Sequence, residues 1–150
     1  MNAPPPGWPR ISSSVHYDDA RAAIDWLCRA FGFEVRLKVE GDEGRIEHSE
    51  LVFGEGLVMV GQTGGIEPWK KSLASPRSLG GKYTQSLCLY VDDVEAVYAR
   101  AVKAGAKVVR EPTTSDYGED YWSDRSCGLL DPEGHLWWFM QRLRGPTNAR

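Results

Sequence analysis

The chain has 150 residues, a net charge of −3 and a hydrophobic content of 41%, which favours one domain, or two small modules sharing a core. No basic run or patch points to nucleic acid, no basic amphipathic stretch points to a membrane surface, and no apolar run approaches the ~20 residues of a membrane span. The Pro-rich start, Met1 to Gly7, lacks the apolar centre of a secretory signal, and Cys28, Cys88 and Cys127 have no metal-type spacing, so a cytoplasmic location with cysteines serving as small buried hydrophobes is expected.

Residues 1–9 read as a flexible arm. A strand is expected over 11–17, followed by Asp18 and Asp19, either of which can cap a helix. Over 20–31 the apolar residues Ala20, Ala23, Ile24, Leu27, Ala30 and Phe31 fall at helical spacing, and Gly32 is a stop. Strands over 34–39, 45–53 and 57–61 follow, the last two joined through Gly54-Glu55-Gly56. Residues 63–82, rich in Gly, Ser and Pro, read as a linker, with Trp69 either a lid over a pocket or an anchor on a neighbouring surface.

The pattern then restarts. A strand over 83–91 leads to Asp92-Asp93, a helical face of Val94, Val97, Tyr98, Ala101 and Ala104, and a stop at Gly105. A short strand over 107–110 should end at Pro112, with a polar, aromatic loop over 113–124. Strands over 125–130 and 135–140 flank Asp131-Pro132-Glu133-Gly134, which is turn chemistry, and a charged tail occupies 142–150. The order strand–helix–strand–strand–strand thus occurs twice at a spacing of about 75 residues. Asp18-Asp19 matches Asp92-Asp93, Gly32 matches Gly105 and Gly56 matches Gly134. The fold class expected is α+β, with two tandem βαβββ modules over 10–62 and 83–141 forming a curved mixed sheet around a cavity.

Several segments in this order resemble the vicinal oxygen chelate superfamily, which includes glyoxalase I, bleomycin-resistance proteins and extradiol dioxygenases. They are Asp19 to Trp26, Ala30-Phe31-Gly32-Phe33, His48-Ser49-Glu50-Leu51, Tyr90 to Val94, Ala104-Gly105-Ala106 and Asp131 to Trp137. The resemblance covers roughly residues 10–141 and is closest to small glyoxalase-like (PhnB-like) proteins. It implies four metal-ligand positions, on the first and last strand of each module, where members carry His, Glu or Gln. Here those positions fall on Ser12, Val60, Ser86 and Trp138, which are not plausible ligands for a divalent ion. No metal cofactor is therefore expected.

Strand alternation says what should line the cavity. Ser12 carries Ser14 and His16 inward, Ser86 carries Cys88 and Tyr90, and Trp138 carries Leu136 and Met140. Leu51 and Phe53 should pack under the helix, which turns His48 and Glu50 inward as a possible base and orienting acid, or as a structural pair. His135, on the opposite parity, is expected to be structural. Arg125 offers forked donors to an anionic ligand, or else pairs with Asp120 or Asp124 to pin the loop. Tyr117, Tyr121 and Trp122 could stack on a planar ligand or pack within the loop or a dimer.

Three functions remain open at this point. A metal-free, partly aromatic cavity suits binding of a small aromatic or amphipathic molecule, as in drug or toxin sequestration. The His48–Glu50 segment suits a glyoxalase-like lyase or isomerase, with that pair or a non-standard metal site at its centre. A structural or regulatory partner with a vestigial cavity is the third. The resemblance also implies a homodimer.

Overall fold

In a computed structural model of the protein, residues 1–147 are described. The chain divides into two compact units, one ending at Gly81 and the other beginning at Lys82. The first holds β1 (Ser13–Tyr17), α1 (Ala20–Phe31), β2 (Glu34–Glu40), β3 (Ile46–Phe53) and β4 (Gly56–Gln62). The second holds β5 (Ser86–Tyr90), α2 (Val94–Lys103), β6 (Lys107–Asp116), β7 (Ser123–Leu130) and β8 (Leu136–Arg144). Each unit is a four-stranded mixed sheet, ordered β1-β4-β3-β2 and β5-β8-β7-β6. In both, the first strand pairs parallel with the last and the other pairs are antiparallel. This is the α+β class with two tandem βαβββ modules. No helix among the described residues is long and apolar enough to cross a membrane.

The helices form where capping and apolar periodicity coincide. The Asp19 side chain accepts the Ala22 amide at 3.0 Å and Asp93 accepts that of Ala96 at 2.9 Å, each satisfying an otherwise orphaned donor of the first turn. Gly32 ends α1 at φ 88°, and Gly105, two residues past the end of α2, sits at φ 95°, a region closed to most other residues. The buried stripe of α1, from Ala20 through Leu27 to Phe31, covers one face of its sheet. Facing it are Val15 and Tyr17 of β1, Leu51 of β3 and Val60 of β4, all fully buried. In the second unit Val94, Val97 and Ala101 of α2 cover Cys127, Leu129, Trp137 and Phe139. Each buried Leu, Ile or Phe in these layers contributes about 2 kcal/mol by removal from water.

The two hairpins are built differently. In the first, Gly54 at φ 55° and Glu55 make a two-residue turn, and Gly56 opens β4. In the second, the 4% exposed Asp131 carboxylate organises the turn. Its Oδ1 accepts the amides of Glu133, Gly134 and His135 at 3.0–3.1 Å, and its Oδ2 accepts the Trp137 indole N–H at 2.9 Å. Gly134 has φ 96° there, so Gly56 and Gly134 are matched in sequence and not in conformation.

Four expected boundaries change. β1 begins at Ser13 and β5 at Ser86, leaving Ile11 and Tyr83 outside the ladders. β6 runs through Pro112 to Asp116. It is an edge strand with register shifts between Arg110 and Thr113, and a proline that donates no hydrogen bond is tolerated at such an irregular edge. The expected loop over 113–124 therefore shrinks to a turn between Asp116 and Ser123. β8 continues to Arg144, so the first part of the expected tail lies in the sheet, where Arg142 pairs with Asp124 and Arg144 with Asp116. Residues 148–150 of that tail lie outside the described residues. In the N-terminal arm, Arg36 donates to the carbonyls of Gly7 at 2.7 Å and Pro6 at 3.2 Å, and its guanidinium lies over the Trp8 ring.

Candidate functional site

Each helix covers one face of its sheet, and the side chains on the other face are the candidates for chemistry. In the first unit the ladder pairs put Ser14, His16, Met59 and Glu50 on that face, since Ser14 and Glu50 both stand opposite Met59. His16 stands opposite Gly61 and its ring lies against that glycine, where an added Cβ would meet the imidazole Cδ2 at 3.1 Å. Ser14 Oγ and His16 Nε2 are 3.4 Å apart. Ser12 precedes β1, and its buried hydroxyl has no hydrogen-bond partner among the described residues. Val60 lies on the helix-covered face instead, beside Val15, because the hairpin turn is shorter than its Gly134 counterpart and the count from Gly56 slips by one. The bare-face position is Met59.

His48 and Glu50 come together as expected. His48 Nε2 lies 3.1 Å from Glu50 Oε1, and Arg36 Nε approaches Oε2 at 3.6 Å, so the 6% exposed carboxylate has a cation-capable group on each oxygen. Leu37 and Val39 of β2 stand opposite Glu50 and His48 and give this polar face an apolar edge. Trp69 lies in a 3-10 turn, 61% exposed, with Lys70 Nζ 5.6 Å from its ring centre.

In the second unit the bare face carries Ser86, Cys88 and Tyr90 of β5 beside Leu136, Trp138 and Met140 of β8, as alternation requires. Trp138 stands opposite Gly128, and the indole lies so close that a Cβ on Gly128 would be 2.7 Å from the ring. Glycine is what lets the indole come this close to the strand. The Arg110 guanidinium sits 5.8 Å from the centre of that ring. Further along, Asp124, 1% exposed, accepts from Arg142 Nε at 2.5 Å and from the Tyr90 hydroxyl at 3.2 Å. The Arg142 guanidinium also lies 5.2 Å from the ring centres of both Tyr90 and Trp122. The bond to Asp124 holds the Arg142 pKa above its already high ordinary value. Tyr117 and Tyr121 pack on Trp122 with centroids 5.7 and 6.1 Å away, so this aromatic group is at least partly packing among its own members.

Arg125 is not on this face. It stands opposite Gln141, on the α2 side, where Nε donates to Glu95 at 2.6 Å and Nη1 to Thr114 at 3.2 Å. It pins the helix and not the loop, and its neighbour Asp124 serves Arg142 instead. His135 is buried at the turn, as expected of a structural residue. Cys28, Cys88 and Cys127 are free thiols; Cys127 is buried and Cys28 partly so, but Cys88 on the bare face is exposed, against the expectation that all three are buried.

Arg110, Arg142 and Gly128 were missed by sequence reasoning. The signal was there for Arg142, two residues beyond Met140 on the same parity. It was lost because β8 was ended at Met140. Arg110 lay within the expected strand over 107–110, but its face was set only by the register of β6 on β7.

The side chains at the four metal positions, with Met59 in place of Val60, remain a poor donor set for a divalent cation: two hydroxyls, a thioether and an indole. Among the described residues no group of three His, Cys, Asp or Glu side chains is placed to hold a metal ion. The residues present do not fit the metal centre that the resemblance implies.

The chain thus consists of two successive βαβββ units, each a four-stranded sheet with one helix-covered face and one bare face. Residues 13–139 match the Glyoxalase/Bleomycin resistance protein/Dioxygenase superfamily, and the chain belongs to that family. Among its relatives, the protein Mb0911c of Mycobacterium bovis is 34% identical over 136 residues, covering 91% of this chain and 85% of that one. The crystal structure of TioX from Micromonospora sp. ML1 is similar with a TM-score of 0.68 and 34% identity, over 91% of this chain and all of that one. A glyoxalase/bleomycin resistance protein/dioxygenase family enzyme from Burkholderia phytofirmans PsJN superposes with a TM-score of 0.65 at 18% identity, over 88% and 97% of the two chains. At that identity the likeness is one of fold.

Proposed function

We propose that this protein binds a small, flat aromatic or amphipathic molecule on its bare sheet faces without a metal, and sequesters it. The observation that carries the reading is the Trp138 indole packed closely against Gly128, flanked by the Arg110 guanidinium and by Cys88 and Met140. An aromatic ring packed closely against the backbone is a stacking platform that loses little side-chain entropy when a planar molecule lands on it. Family members named for bleomycin resistance are consistent with such a role. The protein acts in the cytoplasm, as a homodimer, and engages neither nucleic acid nor membrane. Light scattering on the eluted protein tests the dimer, and metal analysis of the purified protein tests the absence of a bound ion.

The binding test uses naphthamide as a neutral planar probe. A saturable rise in melting temperature is expected for the unaltered protein and its loss in Trp138→Ala. Saturation without dependence on Trp138 would refute the platform.

A second reading rests on the 3.1 Å contact between His48 and Glu50. If Nε2 donates to the carboxylate, Nδ1 is the basic nitrogen, and the pair can move a proton in a glyoxalase-like lyase or isomerase. His48→Gln then abolishes turnover of any substrate found, whereas under the binding reading it leaves affinity nearly unchanged.

A further inference from the structure

We infer that the molecule bound at Trp138 carries a carboxylate, and that Arg110 is the group that reads it. The inference rests on the platform reading above and adds the charge of the ligand to it.

Arg110 lies on the bare face of the second unit, opposite Gly128 in the ladder. It is half-buried. Its Nη2 donates to the hydroxyls of Ser115 at 3.2 Å and Ser126 at 3.4 Å, and the guanidinium leans over the Trp138 ring. Those contacts fix the direction of the fork but bring no negative charge. Among the described residues Arg110 has no acidic partner, and Nε and Nη1 have no acceptor.

Other arginines of the two sheets differ. Arg142 is matched by Asp124, Arg144 by Asp116, Arg125 by Glu95 and Arg36 by Glu50. An arginine drawn partly out of water and left without a counter-charge is costly, unless a ligand supplies that charge. The N–H groups of Nε and Nη1, which have no acceptor among the described residues, can each donate to a carboxylate oxygen, and the guanidinium supplies the charge that a carboxylate balances. The Ser115 and Ser126 hydroxyls hold the fork in place beside the stacking surface. The arrangement therefore suits a flat ring with a carboxylate at its edge: the ring on Trp138, the acid group on Arg110.

The test compares naphthoate with its uncharged analogue naphthamide by calorimetry, on the unaltered protein and on Arg110→Gln. Naphthoate is expected to bind about tenfold more tightly than naphthamide to the unaltered protein, and the ratio of the two affinities is expected to fall to about one in Arg110→Gln. Circular dichroism of the variant checks that it folds, and Arg110→Lys, which keeps the charge without the fork, should recover only part of the preference. Equal affinity for the two probes, or a preference that survives Arg110→Gln, overturns the carboxylate inference while the platform stands. Failure of both probes to bind the unaltered protein overturns the platform and the inference together.

Discussion

The two units share their topology and differ in what their bare faces carry. On the first, the side chains are short or titratable: Ser14, His16, His48 and Glu50, with Met59 between them. On the second they are large and aromatic, with Trp138, Tyr90 and Trp122 set among Arg110 and Arg142. The helix-covered faces are alike in kind, layers of buried Val, Leu and aromatic residues in both. A repeated scaffold constrains the covered face through packing, and leaves the other free to specialise. Under the proposed function, stacking and charge recognition would fall to the second face, and under the second reading proton transfer would fall to the first.

The largest effect that would sharpen this contrast lies in the turns. Asp131→Ala removes the acceptor of the buried Trp137 N–H and of the Glu133 and His135 amides, while Gly134 keeps its bond to the residue 131 carbonyl, and should cost about 3 kcal/mol in urea unfolding. Glu55→Ala in the first turn should change stability by about 0.5 kcal/mol or less, because no side-chain bond from Glu55 holds that turn. Similar losses at both positions would break the distinction between the hairpins. Next in size is Asp124→Asn, which leaves Arg142 beside a buried neutral amide and should cost about 2 kcal/mol. The same measurement reads it, and an unchanged midpoint would refute the role given to that pair.

The glycines under the rings give a subtler comparison. Gly128→Ala drives a methyl into the Trp138 indole and should cost about 1–2 kcal/mol, while Gly61→Ala needs only a small shift of the His16 ring and should cost about half as much or less. Thermal melts of both variants decide it. Among the thiols, burial pushes the Cys127 pKa up to about 11, so in native protein near about pH 8 only about one molecule in a thousand carries that thiolate. Mass spectrometry after brief alkylation should find Cys88 modified and Cys127 untouched. The smallest effect is electrostatic. Hydrogen bonds from Arg21 and Lys38 hold the exposed Glu40 carboxyl below its ordinary pKa. That pairing stabilises the fold above the ordinary carboxylate range and loses its contribution as pH falls through the depressed value. Arg21→Gln should therefore lower the melting temperature slightly near neutrality and not at all in strong acid.

Much of this molecule was legible in the chain itself. Asp19, Asp93, Gly32 and the apolar stripes wrote both helices, and the duplicated order of elements gave the fold, because capping and periodicity act over a few residues. Alternation along a strand correctly grouped Ser14 with His16, Cys88 with Tyr90, Trp138 with Leu136 and Met140, and His48 with Glu50, each set on one face of its sheet. It failed where a strand's length depended on its neighbour. β6 passes Pro112 only because it is an edge, and β8 reaches Arg144 only because β7 is there to pair with it.

What the sequence determined by itself was the local and the repetitive: caps, turns, helix faces and parity within a strand. Tertiary pairing alone decided which acid serves which arginine. Asp124 lies next to Arg125 in the chain, yet its carboxylate bonds Arg142 across the hairpin, since adjacent residues on a strand point to opposite faces and registered ones share a face. For the same reason Arg110, unremarkable in the chain, stands over Trp138 with its charge unmatched.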